Sequence, residues 1–124
     1  MSQARQAVGA LGERVAERWL RRAGWRIVGR RFRSGHRDID LVARRGDTVA
    51  FVEVKARRGL GFGDPVAAVG WRKRRELSRS ALIWADRFGA AEVTYRFDVV
   101  GVLFERGRVR VRHVENAFPV HLAR

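Results

Sequence analysis

The chain contains no cysteine, which excludes disulfides and thiolate metal sites. No apolar run approaches the roughly 20 residues that span a bilayer, and no helix pattern shows the bulky, uniform apolar face of a membrane-surface helix. Met1-Ser2-Gln3-Ala4-Arg5 leads into no signal-peptide core, so a cytoplasmic setting without a membrane partner is expected. Acidic residues are scarce, 13 against 27 basic ones, leaving a net charge of +14. An excess of that size favours a polyanionic partner, nucleic acid first. Lysine is scarcer still: Lys55 and Lys73 stand among 25 arginines. Where the chain uses lysine, a property that arginine lacks is expected to matter, such as a pKa that burial can lower.

What is present is globular in balance, 46% hydrophobic and 32% charged over 124 residues, and is expected to form one domain, 1–124. The centre of the pattern is a hairpin. Asp38-Ile39-Asp40-Leu41-Val42-Ala43 and Thr48-Val49-Ala50-Phe51-Val52-Glu53-Val54-Lys55 are β-rich runs flanking Gly46-Asp47, a two-residue turn signal. With Arg45 facing Thr48, Asp40 falls opposite Glu53 and Asp38 opposite Lys55. Alternation puts the carboxylates and Lys55 on one face and Val52 and Val54 on the other. Like charges opposed across strands destabilise one another, and a divalent cation would offset that. Mg²⁺ suits two carboxylates that leave room for waters and a phosphate. The alternative for these residues is an amphipathic hairpin with a solvated face.

Around the hairpin, apolar residues at Val8, Leu11, Val15, Trp19, Leu20 and Ala23 predict a helix over 3–23, ended by Gly24. Glu17 is expected to pair with Arg14 or Arg21. A strand over 25–32 follows, then a turn holding His36, placed to touch phosphate or water if it is more than a surface histidine. The segment after Lys55 carries Arg57 and a glycine-rich stretch, 59–63, that lacks the Gly-Lys-Ser/Thr ending of a P-loop. Asp64-Pro65 predicts the cap and first turn of a second helix. Its apolar stripe is Val66, Val69, Leu77, Ala81, Trp84, Ala85 and Phe88; Arg72, Lys73, Arg74, Arg75 and Arg79 form a single-signed cluster suited to phosphate. A strand over 93–104 carries Arg96 and Asp98 on one face, either paired locally or beside the site. An edge strand over 109–114 and a tail from Asn116 close the chain.

This set resembles the PD-(D/E)XK, or restriction-endonuclease-like, nuclease superfamily, and more narrowly the YraN-like family of small bacterial proteins. The resemblance rests on Gly12-Glu13, Gly24-Trp25, Asp38-Ile39-Asp40-Leu41-Val42-Ala43, Phe51-Val52-Glu53-Val54-Lys55-Ala56-Arg57, Lys73, Arg96-Phe97-Asp98-Val99-Val100 and Asn116-Ala117-Phe118. It implies an α/β core with a mixed central sheet flanked by helices. It also implies Asp40 and Glu53 as metal-binding carboxylates, Lys55 as the catalytic lysine, and Glu13 as the helix carboxylate found near the site in related archaeal Holliday junction resolvases. The chain departs from the family pattern at Arg37-Asp38, where Gly-Glu is usual. The expected function is a Mg²⁺- or Mn²⁺-dependent DNA endonuclease, with branched or structured DNA as a candidate substrate, Arg57, Arg72, Lys73, Arg75 and Arg79 on the backbone, and Asp38, His36, Arg96 and Asp98 around the site. DNA is expected ahead of RNA, and a homodimer would serve the cutting of two strands. The rival expectations are a catalytically weak nucleic-acid-binding module on the same scaffold and a basic domain for an acidic protein surface.

Overall fold

Gly46, at φ +59°, and Asp47 reverse the chain between β2 (Ile39–Arg45) and β3 (Thr48–Arg58). In the computed structural model, which describes residues 3–35, 37–59, 61 and 63–120, the two strands pair from Arg45↔Thr48 to Leu41↔Val52, the register that the turn predicts. The ladder then stops. Asp40 Oδ2 accepts the Val54 N–H at 2.7 Å, so a side chain takes the place of a backbone partner.

β1 (Arg26–Phe32) runs antiparallel to β2 on its outer side. β4 (Thr94–Glu105) runs parallel to β3 through eleven pairs, Thr48↔Thr94 to Arg58↔Phe104, and β5 (Arg108–Phe118) closes the other edge antiparallel to β4. The result is one mixed five-stranded sheet in the order β1-β2-β3-β4-β5. A parallel neighbour needs a long crossover, and α2 (Trp71–Phe88) supplies it. With α1 (Gln3–Arg22), this makes the expected helix-flanked mixed α/β arrangement.

Alternation along β3 divides the core in two. Val49 and Phe51 join Leu77, Ala81 and Trp84 of α2, whereas Ala50 and Val52 join Ala16 and Leu20 of α1. Phe51 is 1% exposed and packs on Trp84, Tyr95 and Phe97, with ring centroids 5.5 to 5.8 Å apart. Burial of one such ring contributes about 1.5–3 kcal/mol.

Three expectations change. The buried line of α1 is Gly12, Ala16 and Leu20, while Leu11 and Trp19 are 44% and 41% exposed. A Cβ at Gly12 would overlap the Cβ of Ala56, so the helix lies too close to β3 for a bulky stripe. The second helix begins at Trp71, behind Gly70, which offers no side-chain cap. Asp64 Oδ1 instead accepts the Val66 N–H at 2.9 Å and caps a separate turn that tucks Val69 into the core. Finally, β5 continues through Asn116 to Phe118, which stacks on Phe97 at 4.8 Å.

Candidate functional site

The end of the β2–β3 ladder brings four chemistry-bearing side chains together. Glu53 is 5% exposed on the α2 face of β3. Its Oε1 lies 2.9 Å from Lys73 Nζ and 3.7 Å from Lys55 Nζ, while its Oε2 is buried without a hydrogen-bond partner among the described residues. A buried acceptor of that kind calls for a further donor or a cation: a water, a proton shared with a neighbouring carboxyl, or a metal ion. Asp40 has Oδ2 engaged by the Val54 N–H, and its pKa is pushed up to about 7. Burial is the main cause and the Glu53 carboxylate the next; the Val54 N–H opposes both, and Glu13 adds to the rise.

Lys55 is partly buried. Burial and the neighbouring Lys73 ammonium pull its pKa below the ordinary lysine value, against the attraction of Glu53 and Asp40. Lys73 moves the other way: burial would lower it, but the Glu53 charge and the hydrogen bonds around it outweigh that and hold it protonated. One lysine is thereby made easier to deprotonate and the other harder.

Glu13 faces Asp40 across a cleft of about 440 Å³ whose walls include Arg14, Arg30 and Arg31. It is not free: Arg31 donates to it from Nη2 at 2.9 Å and from Nε at 3.4 Å. Arg31 itself sits at φ +45°, a left-handed conformation costly for a residue with a Cβ. Glu17 takes Arg30 at 2.6 Å, with the expected Arg21 at 3.4 Å.

The other expected site residues separate into groups. Asp38 is exposed and paired with Arg33 at 3.4 Å, off the end of the ladder and not opposite Lys55. His36 lies outside the described residues. Arg57 donates to the Gly61 carbonyl at 3.2 Å, holding the glycine-rich segment. Arg72 and Arg79 are exposed on α2, and Arg75 lies over the Trp71 ring at 4.9 Å. Lys73, expected among these surface cations, is turned inward to Glu53.

Arg96 and Asp98 lie away from this site. Asp98 pairs in register with Val52, so it faces α1, opposite to Glu53. It is fully buried, accepts the Asn116 N–H at 3.0 Å, and meets His113 Nε2 at 2.7 Å and Arg96 Nε at 3.0 Å. Burial alone would raise its pKa, but the His113 bond, the Asn116 N–H and Arg96 together hold it below the usual carboxylate value. Here the β4–β5 register shifts and Asn116 adopts φ +50°; the carboxylate satisfies the backbone of that bulge.

Asp98, His113 and Glu115 offer ligand atoms all within 4.8 Å of one another, a spacing that a metal could use. Arg96 also reaches Glu115, at 3.1 Å, so a cation already serves the group. Sequence reasoning missed His113 because a bulge, not a regular register, brings it to Asp98 from 15 positions away.

The chain as a whole is similar to known proteins. The family model described as "Uncharacterised protein family UPF0102" matches residues 12–102, from the close-packed Gly12 through most of β4. A UPF0102 protein of Nocardia farcinica is 47% identical over 115 residues, 92% of this chain and 91% of that protein. One from Trichlorobacter lovleyi is 45% identical over 115 residues, with 91% of each covered, and one from Alkaliphilus metalliredigens is 35% identical over 113, covering 91% and 98%.

Proposed function

The chain belongs to the uncharacterised protein family UPF0102, the YraN-like family that its motifs resemble, and from its site we propose a divalent-metal-dependent endonuclease. The proposal includes a restriction-endonuclease-like fold for the mixed sheet, DNA ahead of RNA as substrate, and recognition of branched or structured forms by shape.

The observation that carries it is the pair of carboxylates at the end of the hairpin. Each has one oxygen committed, Asp40 Oδ2 to Val54 and Glu53 Oε1 to the lysines, and Glu53 Oε2 is buried without a hydrogen-bond partner among the described residues. Two adjacent carboxylates with hard oxygen donors, of which Asp40 lines an open cleft and Glu53 lies buried behind it, suit Mg²⁺ or Mn²⁺. When bound, such an ion supplies a positive centre that stabilises negative charge on phosphoryl oxygens.

The remaining roles belong to the chain. Asp40 and Glu53 would hold the ion, while Glu13, paired with Arg31, lines the same cleft as Asp40 without joining the two at ligand spacing. Lys55, its proton loosened by burial and by Lys73, is suited to orient an attacking water and accept its proton. Arg72, Arg75 and Arg79 are exposed on α2 and suited to phosphates, and Arg57, which donates to the Gly61 carbonyl, is exposed near the end of β3. Nothing among the described elements resembles a base-reading helix, and backbone contacts of this kind select shape over sequence.

A second reading, a binding module without catalysis, draws on the same ion pair: Lys73 already balances Glu53 without a metal. Incubation with branched, single-stranded and linear duplex DNA in Mg²⁺, Mn²⁺ or chelator separates the two. Metal-dependent cleavage is expected from the wild type, with a loss of at least about 100-fold in Asp40→Ala and Lys55→Ala. Binding without product in every metal condition, unchanged in both variants, would leave the module.

A further inference from the structure

Only two of the chain's 27 basic side chains are lysines, and both ammonium groups come to the same oxygen of the same buried carboxylate. Lys55 arrives along β3 itself, two residues from Glu53. Lys73 arrives from the first turn of α2, across the core, and makes the shorter contact, 2.9 Å against 3.7 Å. Among the described residues, Oε2 of Glu53 has no hydrogen-bond partner.

An arginine at position 73 could span both carboxylate oxygens with its planar fork, closing the group in a bidentate pair. A lysine is a point charge on a flexible stem. It balances one oxygen and leaves the other, and it can be moved aside without breaking a two-bond clamp. Burying an ionised Glu53 with no cation at all would be costly, and the Lys73 ammonium at 2.9 Å supplies the positive charge in the metal-free protein.

We infer that Lys73 is the resident counter-ion of the pocket: it neutralises Glu53 in the metal-free protein, yields to a divalent cation, and is then handed to the phosphate of an incoming strand. The inference rests on the reading of Asp40 and Glu53 as a metal-holding pair. It couples metal and nucleic acid through one side chain, because the ion that occupies the carboxylates releases the cation that the strand requires.

Mn²⁺ alone, titrated by calorimetry into the wild type, Lys73→Met, Lys73→Arg and Asp40→Asn, provides the first test, with circular dichroism establishing that each variant is folded. Removing a like charge a few ångströms from the ion should tighten Mn²⁺ binding in Lys73→Met by at least about tenfold. Lys73→Arg should bind more weakly than wild type, and Asp40→Asn should lose binding. If Lys73→Met does not fold, Lys73→Gln, which keeps a hydrogen bond to Oε1 without charge, carries the same expectation. Unchanged or weaker Mn²⁺ binding in the folded variant overturns the counter-ion role and leaves the metal reading standing; no Asp40-dependent binding by the wild type overturns both. The second test is duplex affinity in Ca²⁺ against chelator. The gain from metal should shrink at least about threefold in Lys73→Met, and an equal gain would overturn the hand-over to phosphate.

Discussion

Asp98 shows how much a single carboxylate can organise without belonging to the site. Its folded pKa is depressed, so the stability it contributes is present above its unfolded pKa, about 3.9, and is lost as the pH falls through the folded value. Melting curves from pH 6 down to pH 2.5 should therefore show the wild type losing stability in acid. Asp98→Asn should be less stable at pH 6 by about 3–5 kcal/mol, since Arg96 and His113 lose their buried partner, and should show a shallower loss on acidification. A parallel pair of curves would contradict this account. Legibility was uneven among single residues. Asp40, Glu53 and Lys55 could be placed because alternation and a tight turn are local properties. The contact that defines Lys73 could not, because it joins residues on two elements and depends on where α2 begins. With Asp64 as the expected cap, position 73 sat a full turn and more inside a solvated helix; the observed start at Trp71 puts it in the first turn, beside Glu53.

At the scale of elements, α1 and β3 set the spacing on which the cleft depends. Gly12 has no hydrophobic signature, so periodicity favoured Leu11 and Trp19, whereas the closest approach of helix to sheet selects the smallest side chain. Two substitutions separate these views. Gly12→Val should destabilise the protein by about 1–3 kcal/mol through overpacking against Ala56, read as a lower urea midpoint at unchanged m. Leu11→Ser, at a position 44% exposed, should stay within about 0.5 kcal/mol of wild type. The reverse order would restore the bulky stripe. The same substitution at Gly12 should also widen the cleft, because Glu13 rides on the displaced turn and faces Asp40.

For the whole molecule, the +14 charge is the property most directly tied to a partner, and it was plain from composition. Binding to duplex should weaken linearly in a plot of log affinity against log salt. Replacing Arg72, Arg75 or Arg79 singly by Ala should lower that slope by about 1 for each residue that contacts phosphate. Slopes unchanged in all three variants would move the interface off α2. No helix among the described residues is long and apolar enough to cross a membrane. The topology carries a further consequence for how the protein is made. β3 bears both the carboxylate and lysine and the centre of the core, yet one of its flanks is sealed only when Thr94 and the residues after it reach Thr48. Until that distant stretch has left the ribosome, the nascent chain displays an open, apolar strand edge, and a fragment ending before β4 should aggregate more readily than the chain that carries it.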